Sequence, residues 1–271
     1  MDVPPEPHEI FELTRAEGKR RLERTRLEII STAAVAGLDV VFGVLALATI
    51  AAAFTKPIGE EPAHALGALG FGIAFIFIVV GRSELFTENF LVPLTGLRRG
   101  HITKLKLAEL WVISPICNIA AGTLLIVIAS THGVLPVGTG HTIANIAKGF
   151  DENSAWTAFC SAIIGGALIT AMTWLVEGVG SIGGRIVCAW ITGVLLTLGS
   201  FNHVIVVTLE MIFGLRFGAD IGGLDVLQNF FVAAAGNMIG GIVFVTLTRT
   251  GQAIGSSNGN GIDDDGDDEK R

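Results

Sequence analysis

A chain of 271 residues that is 51% hydrophobic and only 16% charged, with 35 glycines and a mean hydropathy of +0.63, lacks the polar surface of an ordinary soluble domain. The composition therefore specifies an integral membrane protein. Much of the net charge of −7 sits in the tail "GQAIGSSNGNGIDDDGDDEKR" and says little about the apolar body.

Residues 1–27 are largely polar, so the N-terminus does not read as a cleavable signal peptide. The segment "PPEPHEIFELTRAEGKRRLERTRLEI" predicts an amphipathic helix opened by prolines, with Ile10, Phe11, Leu13 and Leu22 as its apolar face, lying on the membrane or on neighbouring loops. A bilayer core about 30 Å thick needs roughly 20 apolar residues per helical crossing. Residues 28–249 offer six such stretches, near 28–53, 65–97, 105–130, 155–178, 185–213 and 222–248. Runs such as "VVFGVLALATIAAAF" lack the alternation a transmembrane barrel needs, so the spans are helices. Residues 250–271 cannot build a core and are expected to be a disordered acidic cytoplasmic tail.

Lys and Arg in the connections set the orientation. Arg15, Lys19, Arg20, Arg21, Arg24 and Arg26 precede the first span, Arg98, Arg99, Lys104 and Lys106 follow the second, and Arg185 and Arg249 fall on the same side. The opposite side has Lys56, Lys148 and Arg216. Both termini are expected in the cytoplasm, with the chain in the cell membrane. Cys117, Cys160 and Cys188 fall inside spans and imply packing, with no metal-ligand spacing.

Two interruptions suggest a duplication. "CNIAAG" in the third span and "GNMIGG" in the sixth place Asn118 and Asn237 at matching points; "FTEN" in the second and "FNHV" in the fifth place Phe86 against Phe201, 115 positions apart. Three spans per half require the halves to run in opposite directions, an inverted 3+3 repeat. Coincidence is the alternative, because Asn beside Gly is common where membrane helices approach closely.

The second span runs 32 residues from Leu66 to Leu97, about 48 Å as one helix, too long for an untilted crossing. Either "RSELFTEN" is a cytoplasmic loop followed by an interfacial stub, or the helix breaks within the membrane around a polar loop facing the interior. The fifth span favours the break, for Phe201, Asn202 and His203 have apolar flanks of similar length on both sides. An ionisable group at that depth is a functional candidate.

"SELFTEN" (Ser83 to Asn89), "FNHVI" (Phe201 to Ile205) and "GNMIGG" (Gly236 to Gly241) resemble the formate/nitrite transporter family over roughly residues 25–250. The resemblance implies an all-α membrane protein of six transmembrane helices, aquaporin-like, with broken second and fifth helices, assembled as a homopentamer with a pore in each protomer. It implies transport of small monovalent anions such as formate or nitrite, or their conjugate acids, with proton coupling as an open question. It assigns His203 and Thr87 to the centre of the pathway, Lys148 to an anion-attracting vestibule, and Phe71, Leu85 and Leu196 to constrictions. Arg82, Glu84, Phe86, Glu88 and Asn89 are expected to support the first pore loop, and Phe201 and Asn202 the second. Glu88 stands where the family commonly has glycine, and an Arg82 bridge to Glu84 or Glu88 is expected to pin the break; the alternative is a Glu88 that faces the conduit and repels anions, with a substrate other than formate.

Glu210, seven residues after His203, is expected either to line the inner vestibule or to partner Arg98 or Arg185 near the cytoplasmic surface. Trp111, Trp156, Trp174 and Trp190 read as interface anchors or packing. No enzyme, cofactor, metal or nucleic-acid partner is implied; the partners are a small anion or weak acid, protons and lipid. The alternatives are a water or small neutral-solute channel, although no Asn-Pro-Ala pair is present, and a non-transporting membrane protein.

Overall fold

The computed structural model describes residues 5–96 and 101–263, so Arg98 and Arg99 lie outside the described residues. The elements are helical throughout the described residues: α1 (Pro7–Leu22), α2 (Arg26–Ile58), α3 (Glu60–Gly81), a 3-10 turn (Phe86–Phe90), α4 (Val92–Thr95), α5 (His101–Ala129), α6 (Thr139–Asp151), α7 (Ala155–Gly178), α8 (Ile182–Leu198), α9 (Val204–Arg216), α10 (Gly223–Ile239), a π-helical segment (Gly240–Thr246) and α11 (Leu247–Asp263). Among them, five continuous helical stretches are long and apolar enough to cross a membrane, and Ile182–Leu198 is a shorter apolar helix. The stretch expected as one fifth span is divided between α8 and α9.

Local chemistry starts the helices. Thr25, Ser154 and Ser181 each accept a backbone N–H of the first turn, from Glu28, Thr157 and Gly184, satisfying donors that a helix cannot pair internally. Helix α2 packs against α3 and α5, and α7 against α8 and α10. Close approach uses glycine: a Cβ on Gly37 would collide with the backbone of Asn118, and one on Gly166 with the backbone of Asn237.

The two interruptions share one backbone design. Helix α3 ends with Arg82 at φ 56° and α8 with Ser200 at φ 46°, a left-handed conformation that non-glycine residues adopt uncommonly. Beyond each, an N–H reaches back to an orphan carbonyl: Ser83 to Ile78 at 3.1 Å and Phe201 to Leu196 at 3.0 Å. Asn118 of α5 then accepts the Phe86 N–H (3.0 Å) and donates to the carbonyls of Ala33 (2.7 Å) and Glu84 (3.1 Å). Asn237 of α10 accepts the Val204 N–H (2.8 Å) and donates to the carbonyls of Ala162 (2.7 Å) and Asn202 (2.8 Å). Even the next amide follows, with Glu84 N–H directed to the Thr32 carbonyl and Asn202 N–H to the Ser161 hydroxyl.

These equivalences correct the register read from residue identity. Matching positions of the breaks lie 118 apart, 82 with 200, 84 with 202 and 86 with 204, so Phe86 corresponds to Val204 and not to Phe201. The Asn118 and Asn237 pairing stands, one position further apart.

Residues Ser83 to Pro93 are buried, so most of "RSELFTEN" faces protein and not solvent, while Arg82 is exposed. Two terminal expectations also change. The buried face of α1 is Thr14, Gly18, Arg21 and Leu22, while Leu13 is exposed; α1 docks on the α4 backbone, where a Cβ on Gly18 would strike the Val92 carbonyl. Of the segment expected as a disordered tail, residues 250–263 belong to α11, which packs on α1 with Ala253 buried and His8 Nδ1 3.2 Å from Ser256 Oγ; residues 264–271 lie outside the described residues.

Candidate functional site

The two breaks meet. Thr87, in the 3-10 turn after the first, places Oγ1 2.7 Å from Nε2 of His203, the last residue before α9. Both side chains have no exposed surface. His203 also caps α9, its Nδ1 accepting the Val206 N–H at 3.3 Å. An accepting Nδ1 leaves the neutral ring's proton on Nε2, which donates to Thr87. The threonine hydrogen then has no other protein acceptor among the described residues and is free to donate to a solute. The positive end of α9 faces the same point.

The expected constriction residues are apolar core. Phe71, Leu85 and Leu196 are buried and belong to one core with Phe75, Phe86 and Phe90. Leu85 is the first-break counterpart of His203 at the spacing of 118, so an isobutyl group and an imidazole occupy equivalent positions.

Two cavities lie elsewhere on the molecule. One, of about 650 Å3, is lined by Lys56, Glu60, Glu61, His64, His141 and Ser200 among others. His64 Nε2 donates to the Thr197 carbonyl at 3.2 Å, and Asn145 donates to His141 Nδ1 at 3.5 Å. Lys148 is not among the lining residues; it lies exposed on α6 with Nζ 3.5 Å from Glu152, and the lysine lining this cavity is Lys56. The other cavity, of about 250 Å3, lies beside α1 and is lined by Glu17, Arg21, Glu84, Glu88, Glu177 and Arg185 among others.

The charges of the first break are paired differently from expectation. Glu84 Oε1 lies 2.9 Å from Arg21 Nε and 2.6 Å from Arg24 Nη1, so its cations come from α1 and the residues just after it. Arg82 is 71% exposed and 3.8 Å from Glu17, because a left-handed cap directs its side chain away from the turn. Glu88 accepts the Leu85 N–H at 2.8 Å and forms no ion pair among the described residues. Asn89 accepts from Arg21 at 3.4 Å and donates to the Leu85 carbonyl at 3.4 Å. Glu17 holds the arginines together: burial opposes its ionisation, yet the Arg20 hydrogen bond and the Arg21 and Arg20 charges outweigh this and lower its pKa to about 2. In Arg21, burial disfavours the cation, but Glu84, Glu88 and Glu17 outweigh it and raise the pKa.

At the second break Phe201 packs against the core, and Asn202 donates to Asn229 at 2.7 Å, receiving a longer return bond of 3.5 Å. Glu210 is buried in α9, which packs against α6. It forms no ion pair with Arg185, whose Nε instead donates to the Val179 carbonyl at 2.9 Å.

Several supporting residues went unread in the sequence. Asp39, a lone charge in an apolar run, accepts the Ser83 hydroxyl at 2.7 Å; its isolation was the available signal. Trp111 donates to the Asn89 carbonyl at 3.1 Å, and Thr246 to the Phe90 carbonyl at 2.8 Å from the end of the π-helical segment. Neither carried a local cue. Trp190 donates to the Leu69 carbonyl and Trp174 lies under Arg249, while Trp156 is exposed.

Membrane-length apolar helices around a buried polar pair define a multi-pass membrane protein. The chain belongs to the formate/nitrite transporter family, whose sequence profile, described as "Formate/nitrite transporter", matches residues 8–250. It is 26% identical to the "Inner membrane protein YfdC" of Escherichia coli (strain K12) over 246 residues, 90% of this chain and 77% of that protein. Its fold is similar to an "FNT family ion channel" at TM-score 0.77 and 18% identity, covering 89% of this chain and 97% of that one. It is also similar to a "Pentameric formate channel with formate bound" at TM-score 0.70 and 17% identity, covering 82% and 94%.

Proposed function

We propose that the chain carries small monovalent weak acids and their anions, formate among them, through a passage inside each subunit, with the Thr87–His203 pair at its centre. The contact at 2.7 Å between the two breaks carries this reading. It supplies a hydrogen-bonding pair, freed from backbone duty on one hydroxyl hydrogen, at the meeting point of two halted helices. The shared backbone design of the breaks and their common spacing support two inverted three-helix halves, with α3 to α4 and α8 to α9 as the broken members. The structural neighbour described as a pentameric formate channel supports both the solute class and a homopentamer. The Lys and Arg distribution supports cytoplasmic termini, and the inner-membrane relative a place in the cell membrane.

The energetics require neutralisation. An anion stripped of water between Phe71, Leu85 and Leu196 costs far more than thermal energy in a low-dielectric surround. Lys56 supplies a cation at the mouth of the larger cavity, beside Glu60 and Glu61, the positive end of α9 stabilises charge at the centre, and the protonated acid passes the apolar constrictions. Thr87 donates to its carbonyl-type oxygen there.

Proteoliposomes containing the purified chain, challenged with formate, nitrite, lactate, acetate and hydrosulfide under internal pH recording, test this. Uptake of the smaller solutes with a matching pH change is expected. Water or glycerol shrinkage with no acid flux would overturn the reading in favour of a neutral-solute channel.

A further inference from the structure

Glu88 has no task in the passage as described, yet it lies between the centre and the cavity on the α1 side, next to Thr87 in sequence and in that cavity's lining. It is the residue after Thr87, it is buried, and it lines the 250 Å3 cavity. One carboxylate oxygen, Oε2, accepts the Leu85 N–H at 2.8 Å; Oε1 makes no hydrogen bond among the described residues. The neighbouring charges are accounted for. Arg21 of α1 attracts it while Glu84 of the same turn and Glu177 of α7 oppose it, but Arg21 and Arg24 are committed to Glu84. Glu17, Arg20, Arg82 and Arg185 line the same cavity, and Trp111 of α5 and Thr246 of the π-helical segment, both neutral, bond the carbonyls of Asn89 and Phe90.

We propose that Glu88 is the proton-exchange residue of the passage at its α1 end. A neutral acid leaving the Thr87–His203 pair gives its proton to the Glu88 carboxylate: the acid's O–H bond breaks, its electron pair stays with the departing anion, and an O–H bond forms on Glu88. Cavity water then takes the proton, and the anion leaves past the arginines. In the opposite direction protonated Glu88 neutralises the entering anion before it meets Leu85. A carboxyl group exchanging with another carboxylic acid does so with little driving force either way, which suits a carrier that runs in both directions.

The proposal rests on the weak-acid reading of the site, and the test separates the two. Full-length chain is placed in proteoliposomes with its insertion direction scored by protease access to α1, and formate flux is recorded while pH is varied on the α1 side alone. The wild-type rate is expected to depend on that pH. Glu88→Gln keeps an acceptor for the Leu85 N–H but cannot exchange a proton; its flux is expected to fall by about 10²-fold, the scale of a lost proton-transfer group, and to become flat with α1-side pH. Glu88→Asp restores both rate and slope. A Gln variant with wild-type rate and slope overturns the role of Glu88 and leaves the weak-acid reading intact. Loss of flux in both variants at unchanged thermal stability and assembly also overturns it, since the carboxyl group then makes no difference. Absence of formate flux in the wild type overturns both.

Discussion

Two residues after its left-handed cap, each break presents a backbone carbonyl to an asparagine amide. At the first break that residue is Glu84, clamped by Arg21 and Arg24; at the second it is Asn202, joined to Asn229. The backbone device is the same and the side-chain chemistry is opposite. The turn itself therefore needs no charge. The carboxylate at the first break answers to the N-terminal helix, making α1 a structural part of that break, whereas the second closes on its own spans with neutral amides. Salt should act on the ion pairs of the first and leave the amide pairing of the second nearly untouched.

The sharpest way to break this contrast is to remove the arginines. The double variant Arg21→Ala and Arg24→Ala leaves Glu84 buried without a cation, a loss of about 3–5 kcal/mol by the usual cost of orphaning one partner of a buried pair. Thermal unfolding in detergent measures it. Adding Glu84→Gln to that background is expected to recover most of the loss, and no recovery would show that the arginines matter for packing alone.

Next in size are the asparagine staples. Asn118→Ala and Asn237→Ala each strip partners from one buried N–H and two buried carbonyls, at about 1–3 kcal/mol for each group left bare. Because the bonding is matched, the two variants are expected to lower the unfolding midpoint by similar amounts. A large effect from one alone would contradict the equivalence of the breaks.

The smallest effect concerns Glu17. Its pKa lies below the ordinary value of 4.5, at about 2, so its stabilisation is complete above pH 4.5 and is lost as pH falls towards 2. Glu17→Gln is expected to loosen α1 by about 0.5–1 kcal/mol at neutral pH, the scale of a partly screened pair, read by amide exchange within α1. That difference should shrink below pH 4.5 and vanish near pH 2; a gap unchanged across this range would contradict the ion-pair assignment.

What the sequence disclosed follows from how locally each feature is encoded. The spans were legible because about 20 apolar residues are needed to cross lipid wherever they occur, and Asn118 and Asn237 because a buried amide among glycines is conspicuous. The register of the breaks was not, since it resides in the conformation of Arg82 and Ser200, two residues with nothing chemical in common. Pairing Phe86 with Phe201 matched side chains where the backbone was the repeating unit. The partners of Glu84 were hidden for a related reason: the nearest arginine in sequence, Arg82, is turned outward by its own φ, and the cations arrive from some 60 positions earlier. Lys148 was selected by distance from the fourth span; it lies exposed beside Glu152 and outside the lining of the larger cavity. The tail was judged on composition alone, which carries no information about a docking partner such as α1.

The central claim is that solute passes between Thr87 and His203. Formate flux into proteoliposomes, compared for the wild type, Thr87→Val and His203→Phe at equal protein density and equal thermal stability, tests it most directly. Each variant is expected to lose roughly ten-fold or more, as a missing hydrogen bond of 1–3 kcal/mol to a desolvated solute requires. Undiminished flux in both would place the route elsewhere in the molecule.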